Sequence, residues 1–203
     1  LDVRTYQHLS YNPEEARKTQ EAGDALWFYT GPPHGFVYPR LNDGLWWFRS
    51  QMTGHFWWHY CWPVGDPWYD FDGAGDWCAT YPGPKGPVAT VQWECMREGL
   101  EDLRYLRTLR AAIERARTAG SGLDQAGDAE AYLTALCDRI PADGKEIAAA
   151  LAAIPAEEFP AIRWEVAKRT LALLDATDGG QRAGLMDDAV FERTLPSPPY
   201  HNE

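Results

Sequence analysis

The chain has 203 residues, of which 45% are hydrophobic, and 19 basic against 30 acidic side chains give it a formal charge of −11. That hydrophobic share builds a core rather than a disordered chain, and an acidic balance without a clustered basic face argues against a nucleic-acid partner. No apolar run approaches the length needed to span a bilayer, so no membrane partner is expected either.

Residue 1 is Leu, with Asp2 and Arg4 close behind it. We therefore expect no signal peptide, and a chain that begins inside a longer protein. The four cysteines, Cys61, Cys78, Cys95 and Cys137, have no C-x-x-C spacing and are too few for a disulfide framework. Cys61 and Cys78 either pair across a loop or stay as buried thiols.

In chain order, residues 1–6 read as a strand. Asn12-Pro13-Glu14-Glu15 opens a helix that stops at Gly23: Asn caps, Pro suits the first turn, and two acids meet the positive end of the dipole. The apolar run 25–30 predicts a strand buried on both faces, as in a parallel sheet. A helical segment follows over 40–49, then a third buried strand over 55–62. A loop rich in Gly, Pro and Asp runs to about Pro87, and a long helix is predicted from Val88 to Ala119. Leu100, Leu103, Leu106, Leu109 and Ile113 form its core stripe. Further helices are predicted over 126–140, 145–154 and 159–176, the last with Ile162, Val166, Leu171 and Leu174 facing the core, before a frayed tail.

Strands alternating with helices indicate βαβ units. The expected fold class is α/β: the last three βα units of a (β/α)8 TIM-type barrel, followed by an all-α C-terminal extension. Residues 1–119 form the barrel part and 120–203 the helical extension and tail.

Nine of the ten tryptophans lie between Trp27 and Trp93. Their flat apolar faces and polar edges suit the C–H faces and hydroxyl rims of sugars, although many such rings simply fill a core. Barrel ligand sites lie at the carboxyl ends of the strands. By alternation, Trp27 and Tyr29 share one strand face, and Trp58, Tyr60 and Trp62 share one face of the next. Asp76 and Tyr81, on the following loop, are placed to fold over the same opening. Glu94, among Trp93, Cys95 and Met96, either reaches toward the strand ends or serves as a helix-start acid.

Asp66, Asp70, Asp72 and Asp76 crowd one loop. The Asp70-x-Asp72-Gly73 spacing is calcium-like, but the twelve-residue loop pattern fails, which leaves a polar loop with Asx-type turns as the alternative. His55, His59 and Cys61 alternate onto one face, as a zinc set would, but without a fourth ligand. No metal and no cofactor is therefore expected. Carboxylate pairs such as Glu101-Asp102 read as helix-surface charge.

Leu26-Trp27-Phe28-Tyr29, Gly54 to Trp62, Gly75-Asp76 with Tyr81-Pro82-Gly83, and Trp93-Glu94 with Arg97-Glu98-Gly99-Leu100-Glu101-Asp102 and Tyr105-Leu106 occur in this order. The combination resembles the carboxy-terminal, barrel-closing domain of glycoside hydrolase family 123 and its relatives, first catalogued as a domain of unknown function. The chain departs from that pattern in having Thr90-Val91-Gln92 where relatives carry Ser-Ile-Arg, and Leu103 where an aromatic is common.

The resemblance implies β-N-acetylhexosaminidase-like activity, typically on N-acetylgalactosaminides. The substrate's acetamido group attacks the anomeric carbon, aided by an adjacent Asp-Glu pair. That pair lies on an earlier strand, so no catalytic residue is carried over to this chain. The isolated chain is expected to be inactive, with an N-acetylhexosaminide-containing glycan and the upstream part of the same barrel as its partners. The resemblance also implies a bacterial, secreted or periplasmic protein. The alternative is a non-catalytic carbohydrate-binding or structural module.

Overall fold

The structure is a computed structural model that describes residues 2–30, 37–58, 60–62, 64–68, 77–147, 150 and 153–177. Three strands, β1 (Val3–Gln7), β2 (Ala25–Thr30) and β3 (Gly54–Trp57), form a parallel sheet in the order β1-β2-β3. The helix-length connections between them dictate this, because adjacent antiparallel strands need only a short turn.

The first connection is α1 (Pro13–Glu21). Its cap, Asn12, accepts from the Glu14 and Glu15 amides, and it ends before Gly23 at φ 79°. The second runs from α2 (Val37–Leu41) through a π-helical turn, Asn42–Trp46, into α3 (Trp47–Ser50). These helices cover one face of the sheet. Leu26 and Phe28 are buried there, and Trp46 packs edge-on against both Phe28 and Tyr11 at 5.3 and 5.4 Å.

The third strand is shorter than the sequence predicts. The chain bends at Trp58, whose amide donates to the Thr30 carbonyl at 2.7 Å. Residues Cys61–Trp62 then form a separate strand, β4, antiparallel to β5 (Trp77–Cys78). A second hairpin joins β6 (Thr80–Gly83) to β7 (Gly86–Ala89). Val88 is therefore in a strand, and the long helix α4 (Val91–Ala119) starts three residues later than predicted. Thr90 sets that start: its hydroxyl accepts from the Trp93 amide at 3.1 Å and donates to the Ala79 carbonyl at 2.7 Å.

Helix α4 crosses the α2–α3 segment at very short range. A Cβ on Gly99 would lie 2.8 Å from the Arg40 carbonyl, and one on Gly44 would lie 2.9 Å from the Gly99 carbonyl. Helices α5 (Leu123–Asp138) and α6 (Phe159–Thr177) pack on α4 to complete the core. In α4 the predicted stripe is buried except for Leu100. In α6 the buried face is Phe159, Ile162, Val166, Thr170 and Leu173, so Leu171 faces outward. Of the helix predicted over 145–154, the described part opens as a 3-10 turn, Gly144–Glu146.

Asp102 is not the surface charge its Glu-Asp pairing implies. It is 4% exposed and sits between two guanidinium groups. Arg40 donates to both its carboxylate oxygens, at 2.7 and 3.2 Å, and Arg163 donates to Oδ1 at 2.6 Å. The Glu98-Gly99-Leu100-Glu101-Asp102 run is thus a helix-crossing clamp. Gly99 admits the α2 backbone, and Asp102 ties α2 to α6. No helix among the described residues is long and apolar enough to cross a membrane.

Candidate functional site

Among the described residues, the second face of the parallel sheet is left open. Register places Thr5, Trp27 and Gly54 in one row across it, and Gln7, Tyr29 and Phe56 in the next row toward the carboxyl ends. Trp27 is 37% exposed, and its ring lies flat over Gly54, where any Cβ would come within 2.5 Å of it. Gly54 is thereby what lets the indole lie down on the sheet. Tyr29 stacks on Phe56 with centroids 5.5 Å apart. Beyond the strand end, Trp58 approaches Trp62 of β4 at 6.2 Å, and both rings are 53% exposed. An aromatic surface therefore runs from the middle of the sheet to the first hairpin. Water-exposed rings in that number are uncommon without a ligand or covering partner.

Behind this surface, on the helix side of the strand ends, lies a buried polar network. Asp43 Oδ1 and His55 Nδ1 are 3.1 Å apart, and His55 Nε2 is 3.0 Å from Thr30 Oγ1. Phe28 stacks on the imidazole at 4.1 Å. Next to it, His8 is hydrogen-bonded to the Tyr38 hydroxyl and to Gln7. The π turn aims Asp43 inward, a role such turns often serve.

Burial sets the protonation of this network. It raises Asp43 well above the usual carboxylate range, against a hydrogen bond from Asn42. It lowers His55 to about 3, aided by repulsion from His8, and His8 to about 4, partly offset by a hydrogen bond with the Tyr29 backbone. Burial, reinforced by the Asp43 charge, pushes Tyr38 up to about 12. The Asp43–His55 contact has the geometry of an ion pair, but burial disfavours the charged form of both groups.

The order Thr–His–Asp matches that of a nucleophile relay, but Thr30 is 1% exposed and faces the helices, so no substrate reaches its hydroxyl. The network instead holds the ends of β1, β2 and β3 against α2 and α3.

The structure keeps Trp27 and Tyr29 together, as their alternation predicts, but divides the others. Trp58, Tyr60 and Trp62 do not share one strand face, because the strand ends at Trp57; Phe56 takes the place next to Tyr29. Tyr60 packs edge-on against Trp93 at 5.7 Å, and Tyr81 stacks on Trp68 at 5.1 Å. Glu94 is in the first turn of α4, exposed and 2.8 Å from Arg97, as a helix-start acid is. Asp76, Asp70, Asp72 and His59 lie outside the described residues. Asp66 forms an Asx turn, accepting from the Trp68 amide at 2.9 Å. His55 and Cys61 belong to different sheets, and no group of three metal-ligating side chains occurs among the described residues.

His8, Thr30, Tyr38 and Asp43 carry no sequence motif that marks them as partners. The one signal was Asp43-Gly44 followed by the apolar run Leu45–Phe48 inside a helical segment.

A family model described as glycoside hydrolase 123, catalytic domain, matches residues 3–109, just over half of the chain. None of the curated proteins matches it.

Proposed function

This chain belongs to the glycoside hydrolase 123 family through its catalytic domain, and from that premise we propose that its sheet is the last three βα units of a (β/α)8 barrel whose aromatic surface is a sugar-binding wall. The substrate class is a glycan bearing a β-linked N-acetylhexosamine, N-acetylgalactosamine foremost. The observation that supports this most is the open face itself. Trp27 lies flat over Gly54 near the carboxyl ends of parallel strands, with Tyr29 stacked on Phe56 in the next row and Trp58 and Trp62 exposed beyond the strand end. Barrel ligands bind at that end, and flat indoles suit the C–H face of a pyranose. Tyr60 and Glu94, next to Trp93, and Tyr81, on Trp68, form the outer rim; Asp76, a hydrogen-bonding candidate from the sequence, lies outside the described residues.

The rows deeper in the sheet, Val3 with Ala25 and Thr5 with Trp27, are where the remaining barrel strands close over the interior. The catalytic Asp-Glu pair is on one of those strands. In support, the sequence contains no Asp-Glu dipeptide, and the buried Asp43 is occupied by His55. On this reading residues 1–119 are the barrel portion and residues 120–203 the helical extension and tail.

The test is a tryptophan-fluorescence titration of the 203-residue chain with methyl β-N-acetylgalactosaminide and methyl β-glucoside, alongside an assay with an aryl β-N-acetylgalactosaminide. The expected result is saturable quenching that favours the N-acetylated sugar, without aryl release above the blank. Release above the blank would place an acid within this chain, and no quenching by either sugar would leave a structural module.

A further inference from the structure

Cys61 and Cys78 lie directly opposite each other in the β4–β5 hairpin, with their sulfurs 3.7 Å apart. Both are in the reduced thiol form in this structure. The Ala79 amide donates to the Tyr60 carbonyl at 3.0 Å, just outside the pair. In an antiparallel ladder, that bond marks Cys61 and Cys78 as a non-hydrogen-bonded pair. At such pairs the Cα atoms approach to about 4.5 Å and the side chains come closest together. Disulfides form at Cα separations of roughly 4.4–6.8 Å, so the two sulfurs reach bonding distance by side-chain rotation, without moving the strands. The remaining two cysteines lie on separate helices, Cys95 in α4 and Cys137 in α5.

We propose that Cys61 and Cys78 are a disulfide site, closed by thiol–disulfide exchange with a small-molecule disulfide such as oxidised glutathione. Cys61, the more exposed of the two, attacks as its thiolate. A Cys61–glutathione bond forms, the glutathione disulfide bond breaks, and one glutathione thiolate leaves. Cys78, as its thiolate, then attacks Cys61 Sγ, forming the protein disulfide and releasing the second glutathione. The two cysteines lose two protons and two electrons; the electrons reduce one glutathione disulfide to two thiols. Burial raises the Cys95 and Cys137 thiols above their ordinary values, which makes them poorer thiolate sources.

The cross-link would fasten β5 to β4, the strand that carries Trp62. It constrains the chain between the two cysteines in the unfolded state, so the oxidised form melts higher, by roughly 5 °C or more.

The experiment incubates the native, undenatured full chain with oxidised glutathione and, separately, with dithiothreitol. It then blocks free thiols and maps peptides without reduction. The expected outcome is loss of two of the four thiols, a Cys61–Cys78 peptide that dithiothreitol separates, and a higher melting temperature in the oxidised sample. With Cys78→Ser, the reaction stops at the glutathione adduct of Cys61. Four persistent thiols, or a link through Cys95 or Cys137, would overturn the proposal. Mapping the native chain directly keeps this outcome decisive even where the Ser variant fails to fold.

Discussion

Replacing Asp102 with Ala should lower the stability of the chain by about 3 kcal/mol, the range for breaking a buried ion pair from one side. Arg40 and Arg163 both point at this carboxylate, with side chains only 17% and 24% exposed. Arg163 keeps the Glu98 carbonyl and carboxylate as partners, whereas Arg40 is left over the Phe159 ring at 4.9 Å. The loss therefore falls mainly on the α2–α4 contact, where Gly44 and Gly99 already bring the backbones together. Asp102→Asn, which keeps an acceptor but removes the charge, should cost about half as much. Urea midpoints at pH 7 measure both. A loss under about 1 kcal/mol for the Ala variant would mean that the guanidiniums find other partners and that the clamp does not hold the helices.

The second large effect is the pH dependence of the buried network. His8 and His55 have an unfolded value of 6.5 and folded values of about 4 and about 3. Between those limits the unfolded chain binds protons at both residues and the folded chain at neither, so their contribution is complete above about pH 6.5 and is lost as pH falls. Asp43 has the opposite sign. Its folded value is raised well above 3.8, so the folded chain retains a proton that the unfolded carboxylate has released, and stability is lost as pH rises through the raised value. In the acidic window the two histidines outweigh Asp43 by at least one proton. That gives a slope of at least about 1.4 kcal/mol per pH unit.

Melting temperatures should rise from about pH 4 to about pH 6.5. Asp43→Asn can donate to His55 Nδ1 as a protonated carboxyl does. The variant should fold normally at about pH 7, while the acidic decline steepens. If Asp43→Asn instead lost several kcal/mol at neutral pH, the carboxylate would be ionised and paired with a protonated His55.

Much of the fold was legible in the sequence, for identifiable reasons. Asn12-Pro13-Glu14-Glu15 forms the helix start its chemistry predicts, because capping is local. The parallel pairing of β1, β2 and β3 follows from connection length alone. The run 25–30 reads as buried on both faces, yet only the Leu26–Phe28–Thr30 side is covered by described residues. An apolar run does not distinguish a core-filling ring from an exposed one, and Trp27 is the case in point.

The aromatic stretch 55–62 concealed a strand end for a similar reason. With apolar rings at almost every position, alternation leaves no mark where the chain bends at Trp58. The two hairpins were hidden by Gly and Pro punctuation that reads as plain loop. Long-range polar pairing was the least legible feature. His55 meets Asp43 and Thr30, and Asp102 meets Arg40 and Arg163, across 12 to 62 positions of sequence. No spacing rule reports such pairs.

If the exposed aromatic surface binds sugar, Trp62→Ala should show it. The Trp62 ring is 53% exposed and stands on a two-residue strand outside the main core. Removing a buried aromatic typically costs about 3–5 kcal/mol, and an exposed ring far less. A glycan with a terminal N-acetylgalactosamine should therefore bind the variant about tenfold more weakly or worse, a loss of at least ~1.4 kcal/mol, with the melting temperature nearly unchanged. Unaltered affinity, or a variant that unfolds, would contradict a sugar-binding wall at this surface.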